Sequence, residues 1–161
     1  GWTCVDILPA ADVHCDISVD PLPFEASTIH AIYCSHVLEH IWPWRLDFTI
    51  GEFHRVLVPQ GRIRIVVPNM DIAIDKYLRN RCDPHSLSEC MAWWFDPSLD
   101  GQDELYLNHV NGFNRPSMIE LLSRHGFYGI DVLRYHDCYP VFTGCDNPGH
   151  KDTSLYVEAR K

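Results

Sequence analysis

The stretch that decides the fold is residues 29–69, IHAIYCSHVLEHIWPWRLDFTIGEFHRVLVPQGRIRIVVPN, because it holds two strand patterns around one helix pattern. The run Ile29–Ser35 is β-branched and aromatic, and the run Arg62–Val67 becomes continuously apolar, as expected of buried strands. Between these runs, apolar side chains recur every three or four residues from Leu46 to Leu57, which predicts a helix with one face on a sheet. We expect the helix to end at Pro59-Gln60-Gly61.

The flanking sequence continues the alternation of strands and helices. Two short apolar runs precede the central stretch, and each carries an acid at its exit, Asp6 and Asp16 respectively. This order predicts an open α/β sheet rather than a sandwich or a helix bundle. The further predicted elements are strands at Trp2–Ile7 and Val13–Ile17, one or two helices within residues 71–95, a helix from Asn114-Arg115-Pro116 to His125-Gly126, and strands at Phe127–Tyr135 and Thr153–Ala159.

Length and charge narrow the class of protein. A chain of 161 residues with 46% hydrophobic content predicts a single domain over residues 1–161. The net charge of -9, with scattered Lys and Arg, argues against nonspecific binding of nucleic acid. No apolar stretch is long enough for a membrane span, and the first ten residues lack a signal-peptide pattern, so we expect a soluble cytoplasmic protein. The seven cysteines form no CxxC pair, which favours free buried thiols.

Six sequence blocks, in this order and spacing, resemble the small class I S-adenosylmethionine-dependent methyltransferases. They are VDI (5–7), ADVHCDI (11–17), PLPF (21–24), SHVLEHI (35–41), EFHRVLVPQGRIRIVVPN (52–69) and HGF (125–127). The resemblance implies a Rossmann-like fold, with an open, mostly parallel sheet that ends in an antiparallel strand. It also implies that S-adenosylmethionine binds at the carboxyl ends of the strands. The family has Gly-Gly where this chain has Gln60-Gly61, and we expect Gly61 to supply a positive φ there.

The resemblance assigns roles to residues that follow three strands. Asp6 is expected to bind the ribose hydroxyls, because a carboxylate accepts two hydrogen bonds, and Asp16 is expected to accept from the adenine amino group. His36 is the candidate general base or substrate-positioning residue, since an unperturbed imidazole titrates near neutral pH. The predicted cofactor-binding residues are Asp6, Ile7, Asp16, Ile17, Cys34 and Ser35.

We expect the acceptor to be a small polar molecule held beside the long polar loop of residues 97–114. Aromatic, imidazole and amide groups in such a loop suit a polar organic ligand. The predicted acceptor-binding residues are Tyr106, His109 and Asn111. The sequence does not identify the atom that is methylated.

Relatives place a first strand and a GxG turn before the VDI block, whereas this chain begins at Gly1-Trp2. We therefore expect an N-terminally truncated fold, with two sheet edges exposed and cofactor binding weak unless upstream residues or a partner compensate. A homodimer that covers the exposed edges is one such arrangement. A noncatalytic binding or assembly module is the alternative to an active methyltransferase.

Two residue sets raise the possibility of a metal. His36, Glu39 and His40 spell HxxEH, the inverted zinc-protease signature, which makes a metallohydrolase a minor alternative. No third ligand has an obvious position in the sequence. The second set is His136, Cys138, Cys145 and His150, whose spacing matches no standard zinc finger. We therefore predict no metal site.

Overall fold

The structure, a computed structural model, describes residues 1–91 and 108–161. Its strands and helices follow the alternation predicted from the sequence, with shorter elements at the amino-terminal end. In chain order they are β1 (Val5–Asp6), β2 (Val13–His14), β3 (Ile29–Ser35), α1 (Leu46–Val56), β4 (Leu57–Pro68), α2 (Met70–Asn80), α3 (Ser86–Met91), α4 (Arg115–Arg124), β5 (Tyr128–Leu133) and β6 (Ser154–Arg160).

The main sheet has four strands in the order β3-β4-β6-β5. β3 and β4 are parallel, and β6 is antiparallel to both β4 and β5. The strands β1 and β2 form a separate parallel pair of two residues each. The predicted α/β sheet with a carboxyl-terminal antiparallel strand is therefore confirmed, while the first two predicted strands are much shorter than their apolar runs.

Helices α1 and α4 contribute to one core with the main sheet. α1 buries Ile50, Phe53 and Val56, the positions that the three- and four-residue spacing predicted. α4 adds Met118 and Leu122, both fully buried in the same cluster. Burial of apolar side chains at about 25 cal/mol per Å² is the main stabilising contribution of such a core.

The start of α4 is fixed by local hydrogen bonds. The Asn114 side chain accepts a hydrogen bond from the Ser117 backbone N–H, and the Ser117 hydroxyl accepts one from the Asn114 N–H. This capping box satisfies two backbone donors that a helix start leaves unpaired, and Pro116 fits the first turn because it has no N–H to lose. Both signals are local, so the sequence predicted this boundary correctly.

The segment of residues 58–61, at the start of β4, does not have the expected positive φ at Gly61. Gln60, and not Gly61, has the positive φ, at 67°. Gly61 is required for space, because a Cβ there would lie 2.7 Å from the Val58 carbonyl oxygen. Pairing of β3 with β4 shifts register between Ile29 and Ala31, so residues 58–61 form an irregularity before the ladder resumes at Arg62.

We expect the two residues of this turn to respond oppositely to substitution. Gly61→Ala should lower the free energy of unfolding by about 1–3 kcal/mol, since the new methyl group meets backbone atoms that cannot rotate away. Gln60→Gly should leave it unchanged or raise it by up to about 1 kcal/mol, because relief of the left-handed conformation offsets the added chain entropy. Urea unfolding of both variants measures the difference, and equal losses would contradict this account.

Candidate functional site

A cleft of about 1070 Å³ lies beside β1, β3 and the segment that follows β2. Every residue from Thr28 to Cys34 lines it. Side chains alternate between the two faces of a strand, so a continuous lining shows that the edge of β3, rather than one face, borders the cleft. Among the described residues, β3 pairs only with β4, so the edge that borders the cleft carries no strand.

The cleft contains five of the six predicted cofactor-binding residues. Asp6, Ile7, Asp16, Ile17 and Cys34 line it, and so does the candidate base His36. Ser35 is not among the lining residues, although its neighbours Cys34 and His36 are. The ends of β1 and β3 and the segment that follows β2 therefore meet at one cavity. That these residues bind the cofactor stays a prediction.

Both acids at the strand ends are held by turns. Asp6 Oδ1 accepts a hydrogen bond from the Leu8 backbone N–H at 3.0 Å. Asp16 Oδ1 accepts from the Ser18 N–H at 2.9 Å and from its hydroxyl at 2.6 Å. In the described part of the chain, no hydrogen bond engages Oδ2 of either acid. Each carboxylate is thus oriented by one oxygen and retains a second acceptor for a ligand.

Cys34 forms a neutral part of the cleft wall. Its side chain is buried, and burial together with the nearby negative charge of Glu39 raises the pKa of the thiol far above its ordinary value. A thiol is a nucleophile only when it is deprotonated, so Cys34 is an inert small side chain at neutral pH.

His36 follows β3 in a left-handed conformation, with φ of 53°, which is uncommon for a residue with a side chain. Its Nδ1 lies 3.1 Å from Glu39 Oε1, and its Nε2 lies 3.0 Å from the Ser154 hydroxyl. The ring also stacks on His150, with centroids 3.9 Å apart. Both ring nitrogens therefore face protein groups, and the role of His36 as a base stays a prediction.

Of the predicted acceptor-binding residues, the two that the structure describes, His109 and Asn111, do not line the cleft. Tyr106 lies outside the described residues, as does most of the long loop. Asn111 connects its own segment to the residues after β3. Its side chain donates to the Ile41 carbonyl at 3.3 Å, and its backbone N–H donates to the Glu39 carbonyl at 3.0 Å. His109 lies beside His40, with ring centroids 4.9 Å apart.

Several site residues were not predicted from the sequence. His40, Ile41 and Trp42 line the cleft after β3, and Val141 lines it from the loop between β5 and β6. That loop also carries His150, whose pKa is lowered because burial and the like charge of His36 disfavour the imidazolium. Only the long-range folding of this loop brings Val141 to the cleft and His150 to the ring of His36.

A buried ionic cluster holds this loop against the sheet. Arg64 on β4 is fully buried, and it faces Glu158 across the ladder to β6. Its guanidinium forms a bidentate pair with Asp146, at 2.9 and 2.6 Å, and donates to Glu158 at 2.9 Å. It also donates to the Asp137 carbonyl. The sequence signal was a charged residue inside the apolar run of a central strand, which requires a buried partner.

Comparison with known proteins agrees with this geometry. Residues 6–65 match a family described as a methyltransferase domain. Similar solved structures include an S-adenosylmethionine-dependent methyltransferase from Archaeoglobus fulgidus, with a TM-score of 0.59 and 14% identity over 98% of this chain and 74% of that one. No curated protein matches the chain in sequence.

Two further structures extend the similarity. The 1,6-didemethyltoxoflavin-N1-methyltransferase of Burkholderia thailandensis, solved with 1,6-didemethyltoxoflavin and S-adenosylhomocysteine, has a TM-score of 0.57 and 17% identity, covering 98% of this chain and 59% of its own. An S-adenosylmethionine-dependent methyltransferase from Methanosarcina mazei has a TM-score of 0.53 and 18% identity, covering 91% and 64%. The chain thus spans less than two thirds of each of these two proteins.

The chain therefore has the Rossmann-like fold of the class I S-adenosylmethionine-dependent methyltransferases. The resemblance carried by the blocks from VDI to RIRIVV is confirmed, because the methyltransferase-domain match covers the same part of the chain. No helix among the described residues is long and apolar enough to cross a membrane.

Proposed function

We propose that the chain binds S-adenosylmethionine in the cleft and catalyses transfer of its methyl group to a small polar acceptor. The observation that carries this proposal is the placement of Asp6 at the end of β1 and of Asp16 two residues after the adjacent parallel strand β2, both on a cleft that β3 also borders. Open α/β sheets bind ligands at the carboxyl ends of their strands. The methyltransferase-domain match over residues 6–65 supports the same function.

The groups in the cleft suit the parts of this cofactor. Asp6 Oδ2 is available for the ribose hydroxyls, and Asp16 with Ile17 offers an acceptor and an apolar surface for adenine. Cys34 and His36 border the part of the cleft assigned to the methionine end. Ligand pockets commonly measure about 300–1000 Å³, so a cleft of about 1070 Å³ has room for an acceptor beside the cofactor.

The proposed reaction moves a methyl group from the sulfonium of the bound cofactor to a nucleophilic atom of the acceptor. S-adenosylhomocysteine leaves, and the acceptor gives up a proton if it had one. The protein contributes mainly by holding the two reactants in line, since correct orientation alone accelerates such a step greatly. His36 would accept the proton only after one of its contacts with Glu39 or Ser154 is broken.

The assignment of Asp16 can be tested with a cofactor analogue. S-inosylhomocysteine lacks the adenine amino group, so wild-type protein should bind it about 10–100-fold more weakly than S-adenosylhomocysteine, the value of one hydrogen bond to a charged acceptor. Asp16→Ala should bind the two ligands equally well. Isothermal titration of both proteins with both ligands measures the ratio.

A matched control separates this effect from a change in charge. Asp20 is an exposed acid nearby that does not line the cleft, so Asp20→Ala should retain the wild-type preference for the adenine ligand. A preference that persists in Asp16→Ala would show that adenine binds elsewhere and would overturn this assignment.

A noncatalytic role as a binding module is the second candidate. The edge of β3 that carries no strand among the described residues favours it, because an exposed strand edge can pair with a strand of another molecule. The contacts of both His36 ring nitrogens with protein groups favour it as well. A second copy of this chain would be one source of that strand, as a homodimer. In this role a folded protein would not bind the cofactor.

A further inference from the structure

The carboxylate of Glu39 is buried and has no hydrogen-bond partner among the residues that the structure describes. Its side chain is 1% exposed, and neither of its oxygens accepts a hydrogen bond among the described residues. Oε1 lies 3.1 Å from His36 Nδ1, but this contact is not aligned as a hydrogen bond, so we regard it as electrostatic only. A buried carboxylate without hydrogen bonds is costly, which indicates that a positively charged group belongs beside Glu39.

Two imidazoles lie next to this carboxylate. Glu39, His40 and His109 each offer one ligand atom, and these three atoms lie within 4.8 Å of one another. Ligands at about 2.0–2.1 Å from one tetrahedral ion are roughly 3.3 Å apart, so a contraction of about 1.5 Å would bring them into coordination. Within the described part of the chain, this is the one group of His, Cys, Asp or Glu with such spacing. The second candidate set from the sequence, His136, Cys138, Cys145 and His150, does not form such a group there.

Backbone hydrogen bonds hold the segment around His109 close to Glu39, although the two are distant in sequence. The backbone N–H groups of Val110 and Asn111 donate to the Glu39 carbonyl at 2.9 and 3.0 Å. They fix the segment that carries His109 against the short 3-10 turn Leu38–His40. The site is therefore held by backbone contacts.

The protonation of His40 suits a ligand. Its Nδ1 lies 3.2 Å from the Asn108 carbonyl oxygen, which can only accept, so Nδ1 carries the proton. In the neutral ring, the lone pair is then on Nε2 and is available to a metal ion. A ring N–H bound to a backbone carbonyl is the usual way in which proteins orient a metal-binding histidine.

We propose that Glu39, His40 and His109 bind a first-row divalent transition-metal ion such as Zn²⁺. Two imidazoles and one carboxylate suit such ions, whereas Mg²⁺ and Ca²⁺ prefer oxygen ligands alone. These three ligands differ from those of the HxxEH motif, because His36 contacts Glu39 and is not itself a ligand. His109 is the third ligand, whose position the sequence did not reveal.

The site adjoins the cleft, since His40 lines it. A bound ion with an open coordination position could therefore polarise an acceptor atom at the cleft mouth. This consequence, unlike the metal site itself, rests on the proposed function.

The test uses tag-free, demetallated protein titrated with Co²⁺ and, in competition with a chelating dye, with Zn²⁺. We expect one ion per chain, and a Co²⁺ spectrum with visible d–d bands but without sulfur-to-cobalt charge transfer, since no cysteine is a ligand. Glu39→Gln and His109→Ala should each weaken Zn²⁺ binding by at least the ~10–100-fold typical of lost supporting groups. His14→Ala, which removes an exposed histidine outside the group, should bind as wild type.

Three results would overturn the proposal: no binding by folded wild-type protein, a cobalt spectrum dominated by sulfur, or unchanged affinity in folded Glu39→Gln and His109→Ala. Circular dichroism establishes that each variant is folded, and the wild-type spectrum decides the ligand type without any variant. Neither Glu39 nor His109 lines the cleft, so titration of the same samples with S-adenosylhomocysteine tests the proposed function separately.

Discussion

Arg64→Met should lower the free energy of unfolding by about 3–5 kcal/mol, the loss typical when one partner of a buried ion pair is removed. The substitution retains most of the side-chain volume but leaves Asp146 and Glu158 buried without their shared cation. Urea unfolding at neutral pH measures the loss. The matched control is Arg79→Met, which breaks the exposed pair with Asp75 and should cost no more than about 0.5 kcal/mol.

The effect of Arg64→Met should depend on pH. Burial alone would raise the pKa of Asp146, but hydrogen bonds from Arg64 and the His136 N–H, with the charge of Arg64, outweigh burial and lower it. The stability that Asp146 contributes is therefore fully present above its unfolded pKa of about 4 and is lost as pH falls below that value. The difference between wild type and Arg64→Met should shrink at acid pH. A difference that is small at pH 7, or that grows in acid, would contradict this account of the cluster.

Asp6→Asn should weaken binding of S-adenosylhomocysteine by about 10–100-fold. The substitution retains the Oδ1 acceptor that holds the Leu8 N–H, so the turn after β1 should persist. It removes the negative charge and replaces the second acceptor with a donor, which cannot pair with a ribose hydroxyl in the same way. Loss of a charge-assisted hydrogen bond is worth about 1.5–3 kcal/mol.

Isothermal titration of Asp6→Asn against wild type measures this loss, with Asp20→Ala as the control of equal charge change. An Asp6→Asn variant that binds as tightly as wild type would show that the ribose does not contact Asp6. Together with a loss of the adenine preference in Asp16→Ala, a loss of affinity in Asp6→Asn would fix the direction in which the cofactor lies across the cleft.

The parts of the fold that depend on neighbouring residues were predictable from the sequence. The amphipathic spacing of α1 and the capping residues Asn114 and Ser117 act within a few positions, so their patterns are visible in the chain itself. The position of Asp6 and Asp16 on one cleft followed from the family resemblance together with the strand-end rule. That residues 1–161 form a single domain stays a prediction.

The features that the sequence did not reveal depend on contacts between residues that are distant in the chain. Arg64 meets Asp146 across 82 positions, and no periodicity links them. His109 reaches Glu39 only because backbone hydrogen bonds join two segments from different parts of the chain. The sequence predicted a positive φ at Gly61, but Gln60 has it, and Gly61 is needed for space instead. That need depends on the distance to the Val58 carbonyl oxygen, which no local sequence pattern indicates.

The most direct test of the central claim is isothermal titration of the wild-type protein with S-adenosylmethionine and S-adenosylhomocysteine, after circular dichroism has established that the protein is folded. We predict saturable binding of one ligand per chain in the micromolar range, with both ligands competing for the same site. A folded protein that releases no binding heat with either ligand, and whose unfolding midpoint neither ligand raises, would contradict the claim that this cleft is a cofactor site.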